Sequence, residues 1–341
     1  MTTRKWTIRF LISFFLLALI VMLLNYIVDP FQHYRVSTWY KITDKKQREL
    51  TAGLAKNFPN YETAIIGSSM TENFRASFVN RELKTSTLKL SMSGMTAHEM
   101  HSVLKTVLQD NPHIKNVIIV LDIHNFSGDK TRIRTNLFPS YLYDNDPLND
   151  IYYLLNKDTI RFTFRALKHL DETTDFDELW YTADSFEYSK KAVLRKYVPG
   201  AYGPDFASEK YKKEILQESF DYNLLPLIQN YPNVRFNILY PPYSFLVYKD
   251  MQKKGWLEEA FSFKRYLLDL DQSNLFMYDF QCLADITGNL QIYRDIAHYA
   301  PSINDYMITS IKENKHLSTA SNVDACFEII RHSANTDIEA E

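Results

Sequence analysis

Four short segments hold residue types that could carry out acyl chemistry. They are "GSSM" at 67–70, "LSMSGMT" at 90–96, "VLDIHNF" at 120–126 and "YRDIAHY" at 293–299. A serine hydroxyl becomes a nucleophile when a nearby base takes its proton, and an imidazole can do so when a carboxylate holds it in the right tautomer. Ser69 is the candidate nucleophile and His298 the candidate base. Asp295, three residues before the histidine, can accept a hydrogen bond from the other ring nitrogen across a tight turn. The oxyanion of a tetrahedral intermediate needs donors already in place, each worth about 3 to 4 kcal/mol in the transition state. The backbone N–H groups of Ser69 and Gly94, with the side chain of Asn125, are the candidates for that oxyanion hole. Each residue also has a plainer reading. Ser68 and Ser69 could cap a helix for about 1 kcal/mol, Gly94 could simply turn the chain, and Asp295 with His298 could be a surface hydrogen bond. The four segments occurring together, with two of only eight glycines at these junctions, favour the chemical reading.

Positioning such residues in one cleft requires elements whose ends converge. Strand-like apolar runs occur at 63–67, 87–92, 116–123, 235–240 and 275–280, separated by helical patterns at 44–57, 96–109 and 208–229, the last interrupted at Pro226. Strands alternating with helices imply βαβ units and a mainly parallel sheet. In such a sheet ligands bind beyond the carboxyl ends of the strands. Residues 124–204 break the rhythm, being rich in Tyr, Asp and Phe, with "DELWYTADSFEYSKKAVLRKY" reading as helix near the end. They are expected to form a large insertion over the sheet's carboxyl edge. Tyr240, Pro241 and Pro242 are expected to shape a cleft wall. The tail, 317–341, carries "ACFEII" and ends acidic, and its last residues are expected to be mobile.

Residues 10–28, "FLISFFLLALIVMLLNYIV", are uncharged, and about 20 apolar residues suffice to cross a bilayer. Arg4, Lys5 and Arg9 precede them, which favours residues 1–9 in the cytoplasm and the main domain outside it. No small-x-small cleavage pattern follows, so an uncleaved signal anchor is expected rather than a removed signal peptide. Residues 29–58 then form a membrane-proximal linker and helix, and 59–316 the α/β domain. A net charge of -2 and the absence of a long basic block exclude nucleic acid as a partner class. Cys282 and Cys326 could pair outside the cytoplasm or lie apart as buried thiols; their spacing matches no zinc signature. His98, His101, His113 and His124 share no ligand spacing with carboxylates or cysteines.

In order along the chain these segments resemble the blocks of the SGNH, or GDSL-type, hydrolase superfamily. "GSSM" resembles the first block, with Ser69 in the nucleophile's place and Ser68 where an aspartate is usual. Gly94 resembles the second-block glycine, and "DIAH" resembles the final Asp-x-x-His block. The third block departs from its pattern, since "DIHNF" supplies an Asn without the preceding glycine, leaving Asp122 or His124 as alternatives to face the cleft. Among members, the anchored cell-envelope proteins are most similar, including the lipoteichoic-acid D-alanylation factor and alginate acetylation proteins. The resemblance implies a three-layer α/β/α sandwich and no metal or organic cofactor. It also implies esterase or O-acyltransferase activity on acyl groups of an envelope polysaccharide or glycolipid, with a membrane-bound acyl donor as a possible partner. A non-catalytic glycan-binding or scaffold protein with the same fold is the competing expectation.

Overall fold

The computed structural model describes residues 3–134, 138–203 and 208–336. The chain is a mixed α/β protein whose five strands form one all-parallel sheet in the order β2-β1-β3-β4-β5. These are β1 (Thr63–Gly67), β2 (Thr87–Ser91), β3 (Asn116–Val120), β4 (Arg235–Tyr240) and β5 (Leu275–Asp279). In β1 every residue is buried, as a strand with neighbours on both sides demands. It pairs with β2 and with β3, so that Gly67 lies opposite both Ser91 and Val120. The chain steps to one side of β1 to make β2 and returns to the other side for β3. That reversal opens a crevice at the carboxyl ends of β1 and β3.

Three strands end earlier than the apolar runs suggest. Beyond β2, Met92 N–H still donates to Gly67 O (3.1 Å), but the chain then turns at Gly94. Beyond β3, Asp122 leaves the sheet to cap a one-turn helix, Ile123–Phe126, accepting from His124 N–H (3.0 Å). β5 stops at Asp279, one residue short of the apolar run's end. The 208–229 pattern divides into helices Lys213–Asn223 and Leu225–Asn230. Pro226 lies in the first turn of the second, where its missing N–H is not needed.

The chain falls into two compact units, residues 1–59 with 137–175 and residues 60–136 with 176–341. In the first, helix Thr3–Val28 is long and apolar enough to cross a membrane and is largely exposed. The residues read as a linker are folded. Just past this helix Asp29 turns the chain with φ 52°. Its carboxylate accepts from the backbone N–H groups of His33 (2.9 Å), Tyr34 (2.8 Å) and Arg35 (3.0 Å) and from Tyr153 Oη (2.7 Å). Burial pushes the Asp29 carboxyl up against those stabilising bonds. Helix Gln47–Asn57 starts three residues later than the sequence pattern and is not capped by Asp44. Phe31, Ala52, Leu142, Tyr153 and Phe162 make a shared core. Residues 138–175 of the expected insertion therefore belong to this unit.

In the second unit, the stretch 177–197 is helical only at Ala183–Ser185 and Lys190–Lys196. Ser189 Oγ accepts from Ala192 N–H (3.0 Å) and starts the latter helix there. The expected tail folds as helix Val323–Ala334, packed on helix Phe245–Lys253. Residues 337–341 lie outside the described residues. Cys326 of that helix is bonded to Cys282 across 44 positions. A loop of that length predicts about 4 kcal/mol of stabilisation in the chain-entropy account. Reduction, or a Cys282→Ser/Cys326→Ser double variant, is expected to lower the denaturant midpoint of this unit accordingly.

Candidate active site

Gly67 ends β1 where a side chain has no room. A Cβ there would meet Thr71 Cγ2 at 2.7 Å and Val120 O at 3.0 Å. Ser68 is extended and its side chain makes no cap; instead its carbonyl accepts from Thr71 N–H (3.0 Å) and Thr71 Oγ1 (2.7 Å), winding Ser69–Thr71 into a 3-10 turn. Thr71 Oγ1 also meets Ser91 Oγ (2.7 Å), tying this turn to the end of β2. The buried Lys89 on β2 donates to Glu72 O (2.7 Å) and Phe74 O (2.9 Å), holding the segment that follows. The turn is thus fixed from both sides, and its serine hydroxyl goes neither to a helix cap nor to the backbone.

Ser69 Oγ lies 2.8 Å from His298 Nε2, across 229 positions of sequence. The other ring nitrogen, Nδ1, lies 2.9 Å from both carboxylate oxygens of Asp295. Burial works to raise the Asp295 pKa, but the hydrogen bond and charge of His298 and the N–H groups of His298 and Ala297 outweigh it, and it is lowered to about 2. The carboxylate is therefore an acceptor only. In the neutral imidazole, donation from Nδ1 to this carboxylate leaves the Nε2 lone pair facing the Ser69 hydroxyl.

The loop bearing Asp295 and His298 is held at several points. Arg294 N–H donates to His298 O (3.0 Å), and Tyr293 and Tyr299 bridge its ends. The "PPYS" segment after β4 supports it, with Tyr293 Oη donating to Pro242 O (2.9 Å) and Ser244 Oγ to Ile296 O (2.6 Å). Helix Pro301–Glu313 departs from this loop and packs on helix Ala76–Leu83, which follows the Ser69 turn. Arg294 and Ser244 are positioning groups that the sequence pattern did not single out. Arg294 carries a signal in its place beside Asp295, whereas Ser244 carries none.

Gly94 adopts φ +63° in a turn closed by Met95 N–H to Met92 O (2.9 Å), a conformation in which glycine avoids the strain of a side chain. Among the described residues, neither the Ser69 N–H nor the Gly94 N–H donates a hydrogen bond. Both remain available to an oxyanion. Asn125 is already engaged at its carbonyl and at one of its two amide hydrogens. Its Oδ1 accepts from Asp122 N–H (2.8 Å) and its Nδ2 donates to Met95 O (2.6 Å), and it is 3% exposed. Its amide clamps the Gly94 turn to the end of β3 and makes no hydrogen bond to Ser69. Of the alternatives, His124 packs among Tyr202, Tyr211 and Trp256 with Nδ1 on Tyr211 Oη (2.6 Å), and burial pushes its pKa down. Asp122 caps its helix.

The Arg134 guanidinium lies over the Gly94 turn, its Nε 2.9 Å from where a Gly94 Cβ would stand. Arg134 is exposed, and among the described residues no carboxylate pairs with its side chain. It places positive charge beside one of the two open amides.

The lowered pKa of Asp295 has a testable consequence. Its stabilising contribution is complete above its ordinary value of 3.8 and is lost as pH falls toward 2. The stability gap between wild type and Asp295→Asn is expected to be present near neutral pH and to close over that acidic interval, read by thermal unfolding. An acid limb in activity at milder pH must then arise from a group other than Asp295.

No family model matches the chain, and no curated relative matches it.

Proposed function

We propose that the protein is an extracytoplasmic serine esterase or O-acyltransferase of the SGNH type, its sheet built into a three-layer α/β/α sandwich and anchored by helix Thr3–Val28. The observation that carries the reading is the unbroken hydrogen-bonded chain from Ser69 Oγ through His298 to Asp295, at the crevice beyond β1. In the first half-reaction Ser69 Oγ bonds to the carbonyl carbon of an acyl ester while its proton passes to His298 Nε2. The oxyanion is received by the N–H groups of Ser69 and Gly94. Collapse breaks the ester C–O bond, the leaving alcohol takes the proton from Nε2, and an acyl-Ser69 remains. Water attacking that ester, again through His298, completes hydrolysis; a sugar hydroxyl in its place completes transfer. Neither half-reaction calls for a metal or organic cofactor.

The disulfide is in keeping with an oxidising compartment, and Arg4, Lys5 and Arg9 before the apolar helix favour a cytoplasmic N-terminus. The proposed substrate is an acylated envelope glycan or glycolipid, and a membrane-bound acyl donor is the proposed partner for transfer.

The test uses the full chain in detergent with a fluorophosphonate probe and p-nitrophenyl acetate, then with candidate glycans as acceptors. Labelling and nitrophenol release support an activated serine, and acyl-glycan formation separates transfer from hydrolysis. A folded protein that binds glycan with neither labelling nor turnover points instead to the non-catalytic binding module. The irregular third block, which supplies Asn125 without the preceding glycine, is the observation in that reading's favour.

A further inference from the structure

The last turn of helix Thr3–Val28 is not bare like the rest. Asn25 and Val28 are buried at 1% and 2% exposure, whereas Tyr26 and Ile27 on the other face are 47% and 60% exposed. Asn25 Nδ2 donates to Leu154 O (2.7 Å), and Asn25 Oδ1 accepts from Thr163 Oγ1 (2.7 Å). Helices Ile151–Leu154 and Lys157–Ala166 are thereby strapped to the end of the apolar helix. The uncharged stretch 10–28 is about 28 Å long at the rise of an α-helix, close to the ~30 Å thickness of a bilayer's hydrocarbon core. If those residues fill the core, whatever is strapped to Asn25 and Val28 stands at its outer boundary.

The outward residues there suit that depth. Ile151 (48%), Tyr152 (65%) and Phe164 (55%) are exposed large apolar side chains in a unit that has a core of its own. Phe164 shares the outer face of its helix with Arg161 and Arg165, and Lys168 is exposed just past the helix end, while Thr159, Phe162, Thr163 and Ala166 take the buried face. Aromatic groups flanked by cations, beside an apolar span, are the pattern of a surface seated among lipid headgroups, with rings in the acyl boundary and cations on phosphates. We infer that helices Ile151–Leu154 and Lys157–Ala166 form a collar that dips into the headgroup layer of the membrane crossed by helix Thr3–Val28, so that the protein is held by a second, lipid-facing contact. This rests on the reading of that helix as a membrane span. The occupant is lipid rather than protein because the collar helices are bonded to the last turn of the apolar helix, where a membrane span ends.

The test places one added cysteine at a time in the full chain, the native pair being oxidised, at Leu16, Tyr152 or Phe164. Each variant is labelled with an environment-sensitive fluorophore and reconstituted in phosphatidylcholine and phosphatidylglycerol vesicles. Shallow spin-labelled lipid is expected to remove most of the fluorescence at Tyr152→Cys and Phe164→Cys, and aqueous iodide little of it. Deeply spin-labelled lipid should do the same at Leu16→Cys. Quenching of Leu16→Cys by lipid with the collar labels quenched by iodide overturns the collar alone. Collar labels shielded from both quenchers also overturn it, in favour of a protein partner or a second copy. A Leu16→Cys label untouched by lipid removes the span reading and the collar together.

Discussion

Ser69→Ala and His298→Ala are each expected to abolish fluorophosphonate labelling and to lower ester turnover by about 10⁴-fold or more, with the thermal transition little changed. Ser69 sits on a turn held by Thr71, Ser91 and Lys89 rather than by its own hydroxyl, so removing that hydroxyl leaves the scaffold intact. His298 is only partly buried, and its backbone, which anchors the loop through Arg294, is retained in the variant. Losses in such a unit are not additive, and the Ser69→Ala/His298→Ala double variant should be about as inactive as either single one. Asp295→Asn is expected to be comparably damaging, about 10⁴-fold in kcat, because an amide can donate to Nδ1 and so favour the wrong tautomer. If Ser69→Ala retained turnover, the reading of this site as an enzyme would be lost, whatever the other variants did.

Lys264→Ala is expected to destabilise the sheet-bearing unit by about 3–5 kcal/mol. Lys264 and Asp279 are 2% and 4% exposed and form an ion pair at the end of β5. Lys264 Nζ also donates to Gln281 Oε1 (3.1 Å) and lies 4.4 Å from the centre of the Tyr240 ring. Burial pushes the Lys264 pKa down, and Asp279 opposes that shift. Truncating the lysine strands a carboxylate out of reach of water, which costs more than the pair itself contributes. Replacing both partners by apolar residues of similar size, as in Lys264→Met with Asp279→Leu, should recover most of that loss because no charge is left unpaired. Urea unfolding of the wild type, the single variant and the double variant measures the difference. A single variant as stable as wild type would show that water reaches Asp279.

All five strands lie within largely apolar runs visible in the sequence, because a strand covered on both faces buries side chains on either side. Their ends were less legible. Asp122 ends β3 early by capping a helix whose single turn is too short to leave a period in the sequence. Within 124–204 the sequence does not separate residues 137–175 from the rest, since a run rich in Tyr, Asp and Phe does not say which core its rings will join. Tyr153 and Phe162 join Phe31 and Ala52, which lie more than a hundred positions away.

The same division runs through the candidate site. Residue type and spacing were enough to single out Ser69, Gly94, Asp295 and His298, because a hydroxyl at a strand end, a glycine at a turn and an Asp-x-x-His loop each have a local physical reason. The sequence also determined the apolar helix, whose length and lack of charge are properties of one segment. Only the tertiary structure decided that Ser69 meets His298, that Asn125 ties the Gly94 turn to the end of β3, and that Cys282 bonds Cys326. Local signals record what a segment must bury. Which distant segments meet depends on the order of strands in the sheet and on the path of the crossovers, and these are set by the packing of the whole chain.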